Sequence, residues 1–221
     1  MESNCSKWPW GQYVKDTLEG LGLSNWWDSH GISYSFENKL KKSIARRELT
    51  LWLHEVHSKP KLRIYRTIKS DLDYEDYLSN VTSRVARSEI TKLRGGTNRL
   101  NIEVGRWRKL EVLQRLCGVC GTGSVENEPH FMLECFPYES VRKKMFEEIS
   151  VDTKGTLKLE HLRQDQEFMM NVLLGFNWKD TIWLHGVEYE GIRTAIQYCV
   201  GRFILRAMII RARILDDSQG D

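Results

Sequence analysis

Between residues 117 and 135 the chain sets Cys117, Cys120, His130 and Cys135 in the spacing C-x2-C-x9-H-x4-C. Three thiolates and one imidazole within so short a segment are the donor set of a closed tetrahedral zinc site. The two-residue spacing lets two sulfurs approach one ion from a single tight turn. Gly118 and Gly121 are expected to supply the left-handed backbone of that turn. His130 and Cys135 are expected at the start of the next helix. All four positions are protein ligands and none is left for water, so the expected zinc is structural. Such a site contributes on the order of 10 kcal/mol to the folding of a small unit. Other readings of the same residues are weaker. Buried thiols beside an unrelated His130 need no metal. A redox C-x2-C lacks a surrounding βαβ pattern, and a Cys/His protease lacks an orienting third group.

Around this segment the hydrophobic pattern is helical almost throughout. Tyr13, Leu18, Leu21, Leu23 and Trp26 mark a short amphipathic helix with a turn at Gly20 and Gly22. A second helix spans Phe36 to His57, with Phe36, Leu40, Ile44, Leu49, Trp52, Leu53 and Val56 on one stripe. Pro60 ends it. Leu78 to Leu93 reads as one helix stopped by Gly95-Gly96. Asn101 to Trp107 is a short helix or an extended turn. Helices are also expected over Pro137–Ile149, Gln164–Phe176 and about Val187–Leu215, the last with Ile192, Ile196, Cys199, Phe203, Ile210 and Leu215 on one side. The fold class is therefore mainly α, a helical domain with a small CCHC zinc-knuckle insertion. Expected regions are a helical basic region over 1–110, the knuckle over 111–150, and a C-terminal helical region over 151–221 packing on the rest.

The net charge of +3 hides an uneven distribution. From Lys39 to Arg115 there are 19 Lys and Arg against nine Asp and Glu, a net +10, and the rest of the chain nets −7. The densest part holds Arg84, Arg87, Lys92, Arg94, Arg99, Arg106, Arg108 and Lys109, opposed only by Glu89 and Glu103. Arginine grips phosphate in a bidentate fork and stacks on bases, so this cluster has the footprint of a nucleic-acid surface. The bland alternative is a solvated helix face. Trp107, between Arg106 and Arg108, either stacks on a base or anchors the two arginines from the core. The loop between the ligands has no Lys or Arg but carries Glu126, Glu128 and Glu134. Phosphate contacts are therefore expected from its flanks, Arg106, Arg108, Lys109 and Arg115 before it and Arg142, Lys143 and Lys144 after it.

Several classes are set aside. No apolar leader stands at the N-terminus, and Arg202, Arg206, Arg211 and Arg213 interrupt the most apolar stretch, so neither a signal peptide nor a membrane span is expected. Five cysteines in such a chain point to a reducing compartment, nuclear or cytoplasmic, rather than a disulfide framework. Cys5 and Cys199 stand apart, and Cys199 reads as a small core hydrophobe. His30, His161 and His185 are isolated, and His54 and His57 have no cysteines to complete a second site. Asp216-Asp217 is a solvated tail. Trp8, Trp10, Trp26, Trp27 and Trp52 are core candidates. No phosphate-loop glycine pattern and no acid–base pair suited to catalysis is present, so no enzyme is expected.

Three runs together resemble a known family. They are Ile90-Thr91-Lys92-Leu93-Arg94, Arg99 through Glu103-Val104-Gly105-Arg106-Trp107, and Arg115-Leu116-Cys117 through His130-Phe131-Met132-Leu133-Glu134-Cys135. They resemble the C-terminal region of LINE-type non-LTR retrotransposon polyproteins, downstream of the reverse transcriptase. Lys61 to Arg66, Tyr74 to Leu78 and the helix over Ile196 to Arg206 also fit. Asn98 stands where the family often has His, and Pro129 replaces a bulkier residue. Endonuclease and polymerase motifs are missing. The resemblance implies engagement of RNA or DNA during target-primed reverse transcription, without catalysis by this piece. A relic, a fragmentary gene product and a domesticated binding protein all fit it. The competing expectation is a protein-interaction module in which the long C-terminal helix docks a partner and the basic belt meets an acidic surface.

Overall fold

In a computed structural model the described residues are 9–27, 34–155, 165–175 and 189–218. Cys5, Trp8, His30, His161 and His185 lie outside them, as do the expected helix ends at Gln164, Phe176 and Val187. The chain is mainly helical. It divides into two compact units, Met1–Ser58 and Lys59–Asp221, so the cysteine segment shares one unit with the C-terminal helix.

The first unit holds α1 (Pro9–Gly20) and α2 (Tyr34–Ser58). Gly22, at φ 68°, turns the chain after α1, and Leu18 and Leu23 are buried beside that turn. Trp26 packs on Phe36 with ring centroids 5.2 Å apart, and Lys39 lies over the same indole. Of the stripe expected on α2, only Val56 is fully buried. Trp10, a core candidate by sequence, is instead 59% exposed.

The second unit is built on α9 (Tyr189–Asp217), which packs on α5 (Arg84–Arg94) and α7 (Glu139–Asp152). Of the side expected on this helix, Ile192, Ile196, Cys199 and Phe203 are buried, Ile210 and Leu215 are half-buried, and Ile204 and Ala207 join the core beside them. Gly201 allows the crossing with α5: a Cβ there would stand 3.2 Å from that of Ala86. Burial pushes the Cys199 thiol up to about 12, beside Asp152, so it is an inert protonated side chain. Two short helices, α3 (Tyr65–Ile68) and α8 (Gln166–Met170), complete the core with the π-helical turn Asn171–Gly175. Met169, Met170, Val172, Leu173 and Leu174 are all buried there.

The single helix expected over Leu78–Leu93 is broken. It forms α4 (Tyr77–Asn80) and α5, with Ser83 as the N-cap accepting from the Ala86 amide. Arg87 fixes the break by donating to the carbonyls of Val81 and Thr82. Val81, Ile90 and Leu93 are core, whereas Leu78 and Val85 face solvent. At the far end Gly96 takes φ 60°, the left-handed residue after the helix. A side chain is barred there, because a Cβ would stand 2.0 Å from the Lys61 carbonyl oxygen.

Candidate metal centre and its basic flank

Helix α6 (Asn101–Trp107) resolves the helix-or-turn alternative and leads into the cysteine segment. Within it Glu103, Gly105, Arg106 and Trp107 have separate tasks. Glu103 is fully buried and accepts from Arg63 and Arg106. Gly105 leaves room for Arg115, whose Cγ would stand 2.5 Å from any Cβ at that position. Arg115 lies over α6 and donates to the Leu110 and Ile102 carbonyls. It staples the intervening loop to α6 and is half-buried there. Trp107 points outward, 63% exposed.

The loop then doubles back on itself. The Cys117 amide donates to Ser124 and the Glu126 amide to Arg115, on either side of a β-bridge between Leu116 and Val125. Gly121 (φ 63°) and Gly123 (φ 74°) make the turn. Gly118, expected in the same conformation, is not left-handed. Its missing side chain instead makes room for Leu215, 3.2 Å from where a Cβ would stand. His130 also departs from expectation. It opens a separate π-helical turn, His130–Glu134, with Cys135 as its C-cap residue, and α7 begins only at Glu139. Phe131 anchors that turn in the core against Tyr138 and Phe203. The neighbouring His130 ring is thereby turned toward the cysteines.

The four ligand atoms lie within 4.8 Å of one another. Cys117 Sγ and Cys135 Sγ are 3.8 Å apart, and Cys120 Sγ is 3.4 Å from His130 Nε2. Two 2.3 Å metal–sulfur bonds at a tetrahedral angle span about 3.8 Å, and a sulfur–nitrogen pair spans about 3.6 Å. The cage therefore has the size a tetrahedral ion needs. The sulfurs are too far apart for a disulfide, and all three thiols are free. Among the described residues this is the one cluster of this kind. His54 and His57 are both exposed on α2 and form no second site.

Protonation follows from the crowding. Burial raises the Cys120 thiol, but hydrogen bonds from Thr122, Cys117 and His130 outweigh it and bring the thiol down to about 6. The hydrogen bond with Cys117 raises His130 to about 9 against burial, with Cys120 and Glu134 adding to it. Burial, then the charges of Cys117 and Cys120, push Cys135 well above the usual thiol range.

A shell of side chains holds the ligands. His130 Nδ1 faces Glu134 Oε2 at 3.2 Å, and its amide donates to Asn127 Oδ1. Arg142, fully buried, donates to the carbonyls of Met132 and Cys135. Glu126 and Glu128, expected as loop charges that keep phosphate off this segment, are both interior. Glu126 pairs bidentately with Arg211 at 2.8 and 2.9 Å, and Glu128 with Arg63 at 2.6 and 3.1 Å. Asn98 donates to Glu128 and accepts from the Leu100 amide. The sequence carries only part of the signal for these roles: no cation stands between Cys117 and Cys135, so a carboxylate buried there has to pair with an arginine from elsewhere.

The expected nucleic-acid contacts separate into three groups. Arg84, Arg99, Trp107, Arg108, Lys109, Lys143 and Lys144 are exposed. Arg87, Lys92 and Arg106 are half-buried, Lys92 paired with Glu89 and Arg106 with Glu103. Arg94 and Arg142, expected on the surface, are inside. Arg94 donates to the Leu174 carbonyl and Glu75 and lies against the Tyr65 and Tyr77 rings. The compact exposed group is Trp107, Arg108 and Lys109 at the end of α6. Leu110, Val112, Leu113 and Leu116 continue the exposure up to the first ligand.

Comparison with protein families, curated proteins and solved structures finds no match to the chain. No helix of the described residues is long and apolar enough to cross a membrane.

Proposed function

We propose that the chain is a zinc-stapled helical module that binds nucleic acid without catalysing a reaction on it. The observation that carries this reading is the exposed Trp107-Arg108-Lys109 group, set at the end of α6 and followed by the loop that enters the metal cage. An aromatic plane beside two cations offers a base a stacking surface and its phosphates a counter-charge. The zinc reading is supported by the S3N donor set and by separations that match tetrahedral bonds. With four protein ligands the ion's role is to fold the segment and orient its flanks. The resemblance to the region downstream of LINE-type reverse transcriptases points the same way. Docking of a partner on the apolar face of α9 is disfavoured, because that face is already buried on α5 and α7.

The test is a salt-titrated binding series with single-stranded RNA, duplex DNA and a hairpin, beside metal quantification. About one zinc per chain is expected, lost when Cys117 and Cys120 become Ser. Replacing both Arg108 and Lys109 by Ala should flatten the log–log salt slope by about 1.4 on a single strand. Trp107→Ala should weaken binding by about 1–3 kcal/mol with the slope unchanged. Binding indifferent to salt and to these substitutions would overturn the reading.

A further inference from the structure

His130 has two working faces. Its Nε2 looks into the cage at Cys120, while Nδ1 looks away, onto Glu134 Oε2 at 3.2 Å. The second oxygen of the same carboxylate, Oε1, accepts from Gln166 Nε2 at 2.6 Å. Gln166 is the first residue of α8 and lies 32 positions away in the chain. The segment it opens is structural core. Met169 to Leu174 are buried apart from the half-buried Asn171, the Leu174 carbonyl accepts from buried Arg94, and a Cβ at Gly175 would stand 3.1 Å from that of Ile68. Two hydrogen bonds thus run from the His130 ring, through the half-exposed Glu134 carboxylate, to the exposed Gln166 that opens α8, whose last residues enter the core.

A ligating imidazole presents one nitrogen to the ion, and the partner of the other nitrogen fixes its tautomer and ring plane. Glu134 is the side chain in that place. It is held from two sides, by His130 within its own turn and by Gln166 from α8. We infer that Glu134 is the positioning residue for His130, and that through Gln166 it couples metal occupancy to the docking of the Gln166–Gly175 segment. This rests on the metal reading above and extends it: the site does more than close its own loop. By linkage the coupling is reciprocal, so metal steadies α8 and a docked α8 strengthens metal binding.

The experiment uses the full chain loaded with cobalt(II), whose visible ligand-field absorption reports a tetrahedral site, and measures affinity by chelator competition. Glu134→Ala should weaken binding by about 10–100-fold while the tetrahedral spectrum is kept, since all four ligands remain. Glu134→Gln should recover part of the loss, because its amide oxygen still accepts from Nδ1–H. Gln166→Ala should cost less, and should cost nothing further in the Glu134→Ala background, since Gln166 acts only through Glu134. Amide exchange over residues 169–174 should speed up on metal removal in the native chain and respond less in Gln166→Ala. Unchanged affinity in Glu134→Ala, or full additivity of the two substitutions, overturns the inference and leaves the metal reading standing. A native chain with no tetrahedral cobalt spectrum overturns both.

Discussion

His130 and Cys135 hold protons that a metal ion has to displace, because ligation requires a neutral imidazole and a thiolate. The sign follows from the direction of each shift. His130, raised to about 9, is protonated at neutral pH and opposes the ion until the pH passes that value. Cys135, pushed up by burial and by the neighbouring thiols, opposes it in the same range and above. Cys120, brought down to about 6, is already a thiolate at neutral pH and adds pH dependence only below that point. At least two protons should therefore leave on binding between about pH 7 and 8.5. The dissociation constant should fall by about a hundredfold or more per pH unit. Chelator competition at several pH values, with proton release measured in weak buffer, checks this. A dependence shallower than one proton would contradict it.

Helix α7 shows how differently three neighbouring cations can be used. Arg142 is interior and satisfies the carbonyls of Met132 and Cys135, which close the turn carrying two ligands. Lys143 and Lys144 face solvent. Arg142→Met leaves two buried carbonyls without their donor, and should destabilise the zinc-loaded protein by about 2–5 kcal/mol in urea titration. Lys143→Ala and Lys144→Ala should each stay within about 0.5 kcal/mol. Equal effects at the three positions would mean that the turn does not need its buried arginine. The cluster that could hold a metal ion was legible in the sequence because Cys117, Cys120, His130 and Cys135 are close along the chain and metal-ligand chemistry allows few residue types. The long helices were legible from period, as were Ile192, Ile196, Cys199 and Phe203 on the inward face of α9, whereas most of the α2 stripe is not buried. The break before α5 was less so: Ser83 signals a cap, but Val81 on one side and Val85 on the other continue the apolar pattern. Arg94 and Arg142 could not be told from surface cations: Arg94 finds Glu75 and the Leu174 carbonyl only through tertiary packing, and the local pairing of Arg142 with Glu139 is one a surface cation also makes.

For the whole molecule, the uneven charge seen in the sequence is partly internal. Arg63 is spent on Glu103 and Glu128, Arg94 on Glu75 and a carbonyl, and Arg115 on backbone carbonyls. The +10 belt therefore supplies structure as well as surface. Glu126 and Glu128 lie between the second and third ligands, and their arginines come from α9 and from the start of the second unit. Loosening that loop would leave buried carboxylates and arginines apart, and breaking a buried pair costs about 3–5 kcal/mol. Metal loss should thus spread beyond residues 116–135. Amide exchange with and without a chelator should show lost protection around residues 60–68, through α6 and near Arg211 in α9. Protection in α2 should be unchanged, since no ligand and neither arginine belongs to the first unit. Loss confined to residues 116–135 would show that the two glutamates keep their arginines without the ion, and that the cage is an independent appendage on a helical core that is stable without it.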